Sequence, residues 1–372
     1  MGGKDRRKGK DRREADAPSR WLEVEDARKA AKRRLAKAVY EHARAGAGNE
    51  ATLAENEAAF RRRAIWPRVL RDVAACDPST TVLGAALRVP VIVAPMGYLR
   101  LFDPEGEIAM ARAAEAAGTI LAVSELASVR FEDIAAATAS PKWLQVCVVR
   151  DRGRTRAIVD RAAAAGYAAI VLTVDLPVIG RRPREIAAGF ALPPDLALVN
   201  HGAVGDDGAA CPATLDDLTP DATLTFRDLE WLRGVAPLPL VIKGILRGDD
   251  ADLAVRHGAA AVIVSNHGGR QLDGAPAALD ALPEVAAAVA GRAEVLVDGG
   301  VRSGADVLRA IGLGARAVLI GRPALYGLAG GGQAGVERVF AILEDELRAT
   351  MALAGCRRVS ELPRDLVRPT PR

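Results

Sequence analysis

Eight short apolar runs recur after residue 88, separated by segments with helical spacing, and that alternation leaves few folds open. The runs are Val91–Ala94, Ile120–Ser124, Trp143–Val148, Ala169–Asp175, Leu238–Lys243, Ala261–Ser265, Glu294–Asp298 and Ala317–Gly321. Most are apolar almost throughout, the pattern of strands buried on both faces of a parallel sheet. Between most of them lie Ala/Arg/Glu-rich stretches such as Glu105–Ala117, Arg154–Ala165, Ala251–His257 and Ser303–Leu313. Eight strand–helix units predict an α/β fold of the closed (β/α)8 TIM-barrel type in preference to a doubly wound sheet. Ser19–Leu87 reads as a largely helical segment ahead of the barrel, with Thr52–Asn56 as a capped helix start. The interval from Asp175 to Leu238 is too long for an ordinary connection and is rich in Gly, Pro and Asp. It predicts a lid insertion after the fourth strand, at about residues 190–230.

Half the 372 residues are apolar, which calls for a globular core. The net charge of +4 is local: residues 1–20 hold eight Lys/Arg and four Asp/Glu, so the rest carries 43 of each sign. Residues 1–19 are expected to be a disordered basic tail ahead of a single domain, 20–372. A neutral body argues against a nucleic-acid partner. No stretch approaches the length of a membrane span or has the apolar centre of a secretory signal. Cys76, Cys147, Cys211 and Cys356 are scattered, without metal-ligand spacing, as expected for reduced thiols in the cytoplasm and for a protein with no metal site.

The strand-end residues carry the chemistry. Ser124, Gln145, Asp175, Lys243, His267, Asp298 and Arg322 all fall at or near C-terminal strand ends, where barrels build their sites. After the sixth strand runs Ser265-Asn266-His267-Gly268-Gly269-Arg270-Gln271-Leu272-Asp273. His267 can take a proton near neutral pH, and Arg270 can hold a carboxylate through two parallel bonds. Asp175 can charge-stabilise an imidazolium. Lys243 has two readings, a Schiff-base nucleophile of an aldolase or lyase, or a cation beside an anionic cofactor. Asp298-Gly299-Gly300-Val301-Arg302 and Gly321-Arg322 end the last two strands, a usual place for a phosphate. Arg182 is a second candidate for a substrate carboxylate, and its neighbour Arg181 is open between that role and a solvated one.

From about Arg20 to Leu362 the chain resembles the FMN-dependent α-hydroxy acid oxidases and dehydrogenases. Ser265–Gln271 is similar to that family's active-site signature. Ala94–Gly97, Leu172–Pro177, Gly180–Arg182, Val241–Gly244 and Asp298–Arg302 fall in its order and spacing. The resemblance implies FMN as cofactor and oxidation of a 2-hydroxy acid to a 2-oxo acid. His267 would take the hydroxyl proton, Asp175 would stabilise the imidazolium, and the α-hydrogen would leave as hydride to flavin N5. Arg270 and Arg182 would hold the substrate carboxylate. Lys243 would lie at the electron-rich end of the flavin, with Pro95, Met96, Gly97, Ser124, Gln145, Thr173 and Ser265 along the ring and ribityl chain. Asp298, Gly299, Gly300, Arg302, Gly321 and Arg322 would form the phosphate end. The acceptor implied is oxygen, a quinone or a carrier protein, and the assembly a homo-oligomer. Two departures stand out: His42 and Cys147 occupy places where the family usually has tyrosines facing the substrate. Leu126, beside Glu125, stands for a common tryptophan. These changes leave room for a less usual substrate, a larger alcohol or amine. Gly97, where oxidases often carry alanine, points toward an acceptor other than oxygen.

Overall fold

The computed structural model describes residues 17–193, 196, 198–201, 203–204, 210–211, 218–235, 238–363 and 365–371. Residues 1–16 of the expected basic tail lie outside them, as does part of the expected lid. All eight expected barrel strands form: β1 Val91–Val93, β2 Leu121–Ser124, β3 Lys142–Val146, β4 Ala169–Thr173, β5 Leu240–Ile245, β6 Ala261–Val264, β7 Glu294–Asp298 and β8 Ala317–Ile320. They are parallel and close in chain order, β8 pairing with β1 and β4 with β5. Every residue of β1–β4, β6 and β8 is buried, because helices cover the outer face and side chains fill the interior. Alternate residues divide between the two: Val171 and Ile263 join an interior cluster, whereas Ile170, Leu172, Val262 and Val264 join the strand–helix core. Four interior alanines, Ala122, Ala169, Ala261 and Ala317, share that cluster with the indole of Trp143, small beside large, as close packing requires.

The segment ahead of the barrel departs from its largely helical reading. Helices α1 (Val24–Arg34), α2 (Lys37–Arg44) and α3 (Ala51–Arg61) form, but the helical part ends there. Arg63–Ile65 pairs with Val367–Pro369, and Thr80–Val82 makes a hairpin with Ala85–Leu87. Leu83 (φ 46°) and Gly84 (φ 81°) supply the two left-handed residues that a tight two-residue hairpin turn demands. Val82 and Leu87 join the interior cluster, and the Leu83 N–H donates to Glu294 at the start of β7 (3.0 Å). The hairpin thus stops the N-terminal end of the barrel and leaves the C-terminal end for the site.

The remaining helices are α4 (Glu107–Ala116), α5 (Phe131–Ala136), α6 (Arg152–Ala164), α7 (Pro183–Ala187), α8 (Asp228–Val235), α9 (Gly248–Arg256), α10 (Ala278–Val289), α11 (Gly304–Gly312) and α12 (Arg322–Leu353). Helix α12 is broken at Gly331–Gly332. Between β4 and β5, the described insertion residues Asn200 and His201 are buried and stitched to the body. The Asn200 amide donates to the Ala127 and Val129 carbonyls and accepts from the Phe131 N–H; His201 Nε2 lies 3.0 Å from the Glu125 carbonyl oxygen. This part of the insertion is held down by the loop after β2.

The start of α3 also differs from expectation. Thr52 lies inside the helix instead of capping it, and the N-cap position is Glu50, in left-handed conformation with no side-chain cap. The cap comes from Asp273, whose carboxylate accepts from the N–H groups of Thr52 (2.9 Å) and Asn49 (2.8 Å). Such a tertiary cap has no local signature. Replacing an N-cap acceptor by alanine costs about 1 kcal/mol. Asp273→Ala is therefore expected to lower the unfolding free energy by that amount, read as a lower urea midpoint at unchanged denaturant slope. An unshifted midpoint would show that other contacts hold this helix start.

Candidate active site

The loop after β6 turns back sharply through three consecutive left-handed residues, His267 (φ 58°), Gly268 (φ 63°) and Gly269 (φ 74°). A Cβ on Gly269 would stand 2.6 Å from the Leu53 backbone, so only glycine lets α3 come this close. His267 carries its unfavourable backbone because three contacts hold it. Its N–H donates to Ser265 Oγ (3.0 Å), its Nδ1 meets Asp175 Oδ1 (3.0 Å), and the next turn is tied by Gly269 N to Asn266 Oδ1 (3.0 Å). Asn266 in turn exchanges amide bonds with Asn56 of α3 (2.9 and 2.8 Å). Gln271 bridges to the loop after β4, donating to the Asp175 and Val178 carbonyls (2.9 Å each) and accepting from Gly180 N–H (3.1 Å).

Burial lowers the His267 pKa; Asp175 opposes this, while Lys243 and Arg270 reinforce it. Burial alone would raise Asp175, but His267 and Lys243 outweigh it and hold the carboxylate below its ordinary value. The pair is therefore a neutral imidazole donating Nδ1–H to a carboxylate, which leaves the Nε2 lone pair as the acceptor. Lys243 sits behind it, 3.1 Å from Asp298 Oδ2 and 2.9 Å from Ser265 Oγ. Burial would depress this amine, but Asp298 and Asp175 raise it above its ordinary value. It is held as a cation, which removes the free lone pair a Schiff-base nucleophile needs. Asp175 Oδ2 and Asp298 Oδ1 are buried without a hydrogen-bond partner among the described residues, so the strand ends present open acceptors.

Opposite lies a cationic wall. Arg270 donates through Nη1 to the carbonyls of His42 (2.8 Å) and Ala45 (2.9 Å), leaving Nη2 3.7 Å from Glu185. Arg182 Nη1 is 3.6 Å from the same carboxylate. Arg181 is exposed, so the pair at 181–182 divides, one residue inward and one in solvent. Burial, with Arg182 and Arg322 nearby, pushes the Arg270 pKa down to about 9. Two guanidinium groups share one carboxylate at 3.6 and 3.7 Å, so the pair carries an excess of positive charge that favours an anion nearby. His42 reaches the same place from α2, its Nδ1 3.0 Å from Glu185 Oε1 and its ring stacked on Phe190 at 4.0 Å.

The other strand-end candidates gather on the same end of the barrel. Ser124 and Gln145 are register partners on β2 and β3, as are Thr173 and Lys243 on β4 and β5, and all four are buried. Pro95, Met96 and Gly97 follow β1, and a Cβ on Gly321 would touch Met96 (3.8 Å), so the first and last loops adjoin. Gly299 (φ 92°) and Gly300 (φ 84°) make a turn pressed on α3: a Cβ on Gly300 would lie 2.0 Å from the Asn56 carbonyl. Three candidates are engaged within the protein. Ser265 is fully buried, Arg302 pairs with Glu57 (2.8 Å), and every guanidinium nitrogen of Arg322 donates to carbonyls of residues 43–45 or Gly268. For an anion at this end there remain the glycine-turn amides and the N-terminus of α12.

Comparison with known proteins is decisive at this point. The family model described as FMN-dependent dehydrogenase matches residues 31–369. The chain belongs to this family. It is 48% identical to the L-lactate oxidase of Nostoc sp. over 89% of this chain and 94% of that protein. It is 44% identical to the glycolate oxidase of Spinacia oleracea, over 90% and 92%. A mandelate oxidase variant solved with (S)-mandelic acid superposes with a TM-score of 0.87 at 42% identity, covering 94% of this chain and 99% of that one. As a member of the FMN-dependent dehydrogenase family the protein is an FMN oxidoreductase. Its strand ends fit that cofactor by their donor set: open acceptors on Asp175 and Asp298, a fixed lysine cation, buried amide and hydroxyl groups, and an anion-ready turn.

Cys147 and Glu125 meet beside β3. Cys147 is buried, its N–H donating to Glu125 Oε1 (2.8 Å) and its Sγ accepting from Gln145 Nε2 (3.5 Å). Burial, then Glu125, pushes its thiol well up, so it is no nucleophile. Glu125 itself was not a sequence candidate, because nothing local marks its burial. Desolvation raises it to about 7, against the Cys147 contacts, and its Oε2 has no hydrogen-bond partner among the described residues. The glycine at 97 has a steric reason here, since a Cβ would stand 3.0 Å from Leu126. Glu125 yields a stability prediction. Its folded pKa lies above its ordinary 4.5, so its share of stability is complete below pH 4.5 and is lost as pH rises through about 7. The loss amounts to about 3 kcal/mol by pH 8. Glu125→Gln keeps the acceptor for Cys147 and cannot ionise. Urea unfolding at pH 5 and pH 8 should show the parent losing about 2–3 kcal/mol more than the variant between them, since part of the loss is already present at pH 5; equal losses would mean Glu125 ionises freely.

Proposed function

We propose that the protein oxidises a 2-hydroxy carboxylic acid to the 2-oxo acid, with His267 as the base and Arg270 and Arg182 as the carboxylate anchor. One observation carries this reading: a neutral imidazole, tied through Nδ1 to Asp175, lies close enough to Arg270 to feel its charge, and Arg270 and Arg182 share the single carboxylate of Glu185. The anchor draws the substrate carboxylate, which sets the 2-hydroxyl near the imidazole. His267 Nε2 takes the hydroxyl proton as the C–O bond gains double-bond character. The resulting imidazolium is stabilised by Asp175 through the bond on Nδ1. FMN, when bound, supplies the two-electron acceptor for the hydrogen on carbon 2.

Lys243, fixed by Asp298 and Ser265, lies behind His267 and would offer its charge to the cofactor's electron-rich edge. Pro95–Gly97, Ser124, Gln145 and Thr173 would line the ring and ribityl chain, and the turns at Gly299–Gly300 and Gly321 the phosphate. An amine substrate would bring a cation against two arginines, which counts against that alternative. The lactate, glycolate and mandelate oxidases among the relatives support oxygen as final acceptor, and the packing of Leu126 accounts for Gly97 without reference to the acceptor.

The test is anaerobic flavin reduction by a panel of 2-hydroxy acids. His267→Ala is expected to slow reduction about 100- to 10,000-fold, the usual worth of a general base. In the parent the rate should rise with pH through a base pKa below the ordinary 6.5 of histidine, since the neutral form acts. Asp175→Asn should move that limb lower still, because Asp175 raises the histidine pKa. Parent-like reduction by His267→Ala would exclude it as the base. Arg270→Met should weaken acid substrates about 10- to 150-fold, the worth of one charge-assisted contact, and neutral analogues far less. Equal reduction by an acid and its neutral counterpart would overturn the anchor.

A further inference from the structure

Among the described residues, Glu185 is the carboxylate that meets both anchor arginines, at 3.6 Å from Arg182 and 3.7 Å from Arg270, and it was not legible as a site residue. It lies on α7, three residues after Arg182. It also holds the ring that stands where relatives usually place a tyrosine, with Oε1 3.0 Å from His42 Nδ1. Its Oε2 is buried and has no hydrogen-bond partner among the described residues. Helix α7 does not carry this carboxylate loosely: the adjacent Arg184 pairs with Glu50 and with Glu41 (3.7 Å).

We propose that Glu185 is the specificity-determining carboxylate of the anchor, restricting the site to substrates with a single carboxylate. The inference rests on the Arg270–Arg182 anchor proposed above. The charges facing one another are Arg182 ahead of α7, Arg270 from the loop after β6, Glu185 from α7 and the imidazole of His42 from α2, with Phe190 and Phe102 stacked beside that ring. Burial would raise Glu185, but His42, Arg270 and Arg182 outweigh it and keep it ionised. Burial lowers His42, and Arg270 and Arg182 lower it further against the pull of Glu185, so the ring is neutral at neutral pH. Glu185 offsets one of the two charges of Arg182 and Arg270, and one substrate carboxylate offsets the other; Arg322, the third guanidinium near Arg270, is turned toward the carbonyls of residues 43–45 and Gly268. A second substrate carboxylate would meet Glu185 and the bare Nε2 of His42, whose Nδ1 proton is committed to Glu185. Like charges a few ångströms apart in a partly buried site are strongly unfavourable.

The experiment measures binding of propionate and malonate, one and two carboxylates, to the FMN-loaded protein by calorimetry at pH 7.5, for the parent, Glu185→Gln and Glu185→Asp. The parent is expected to prefer propionate. Glu185→Gln should shift the malonate-to-propionate affinity ratio toward malonate by about tenfold, the equivalent of 1.4 kcal/mol. Glu185→Asp, which keeps the charge, should retain the parent ratio. An unchanged ratio in Glu185→Gln overturns the inference, as does a parallel loss of both anions with a lowered melting temperature, the mark of a purely structural residue. If the parent binds neither anion, the carboxylate anchor falls and this inference with it; if both bind and the ratio stays fixed, only the inference falls.

Discussion

The site depends on two buried guanidinium groups that bind backbone. Arg270 and Arg322, from the loop after β6 and the start of α12, donate to the carbonyls of residues 42–45 and pin the end of α2 over the barrel mouth. Everything specific to the substrate side follows from that pinning. It brings His42 to Glu185, sets the start of α3 on Gly269 and Gly300, and presents the α3 amides to Asp273. Carbonyl partners satisfy the guanidinium hydrogens without neutralising the charge, so Arg270 stays cationic where the proposed function puts the substrate carboxylate. A carboxylate in place of those carbonyls would have fixed the segment as firmly and silenced the anchor.

Legibility from sequence divided along a physical line. The eight strands were readable because burial on both faces writes continuous apolar runs, and His267, Arg270, Asp175 and Lys243 because polar residues at the ends of such runs are rare. The hairpin at 80–87 was hidden by its brevity: two three-residue strands carry little periodicity, and Leu83 gives no sign of a left-handed backbone. Asp273 and Glu185 were hidden for another reason. Each acts on a partner far away in the chain, Asp273 on Thr52 and Glu185 on His42, and spacing carries no trace of such contacts. Glu125 belongs with them, since only three-dimensional burial raises its carboxyl toward neutrality.

The two imidazole–carboxylate pairs illustrate how environment assigns roles to like parts. His267–Asp175 and His42–Glu185 have the same 3.0 Å contact through Nδ1. The first stands by Lys243 and the open acceptors of the strand ends, a setting that suits the proposed base. The second is flanked by two arginines and stacked on Phe190, a setting that suits the proposed charge balance. Neither role could be assigned from the histidine alone.

The pinning of residues 43–45 by Arg322 also bears on how the chain is made. Those carbonyls leave the ribosome 277–279 residues before the guanidinium that binds them. At about 5–20 residues per second, that is a wait of roughly 15–55 s. Until then the apolar face of α1, which later lies against α12, has nothing to cover it. No N-terminal fragment can hold a finished mouth, and the last strand–helix unit to emerge closes both the barrel and the site. Nascent chains of this protein therefore spend most of their synthesis before the helix that covers the first one has been made.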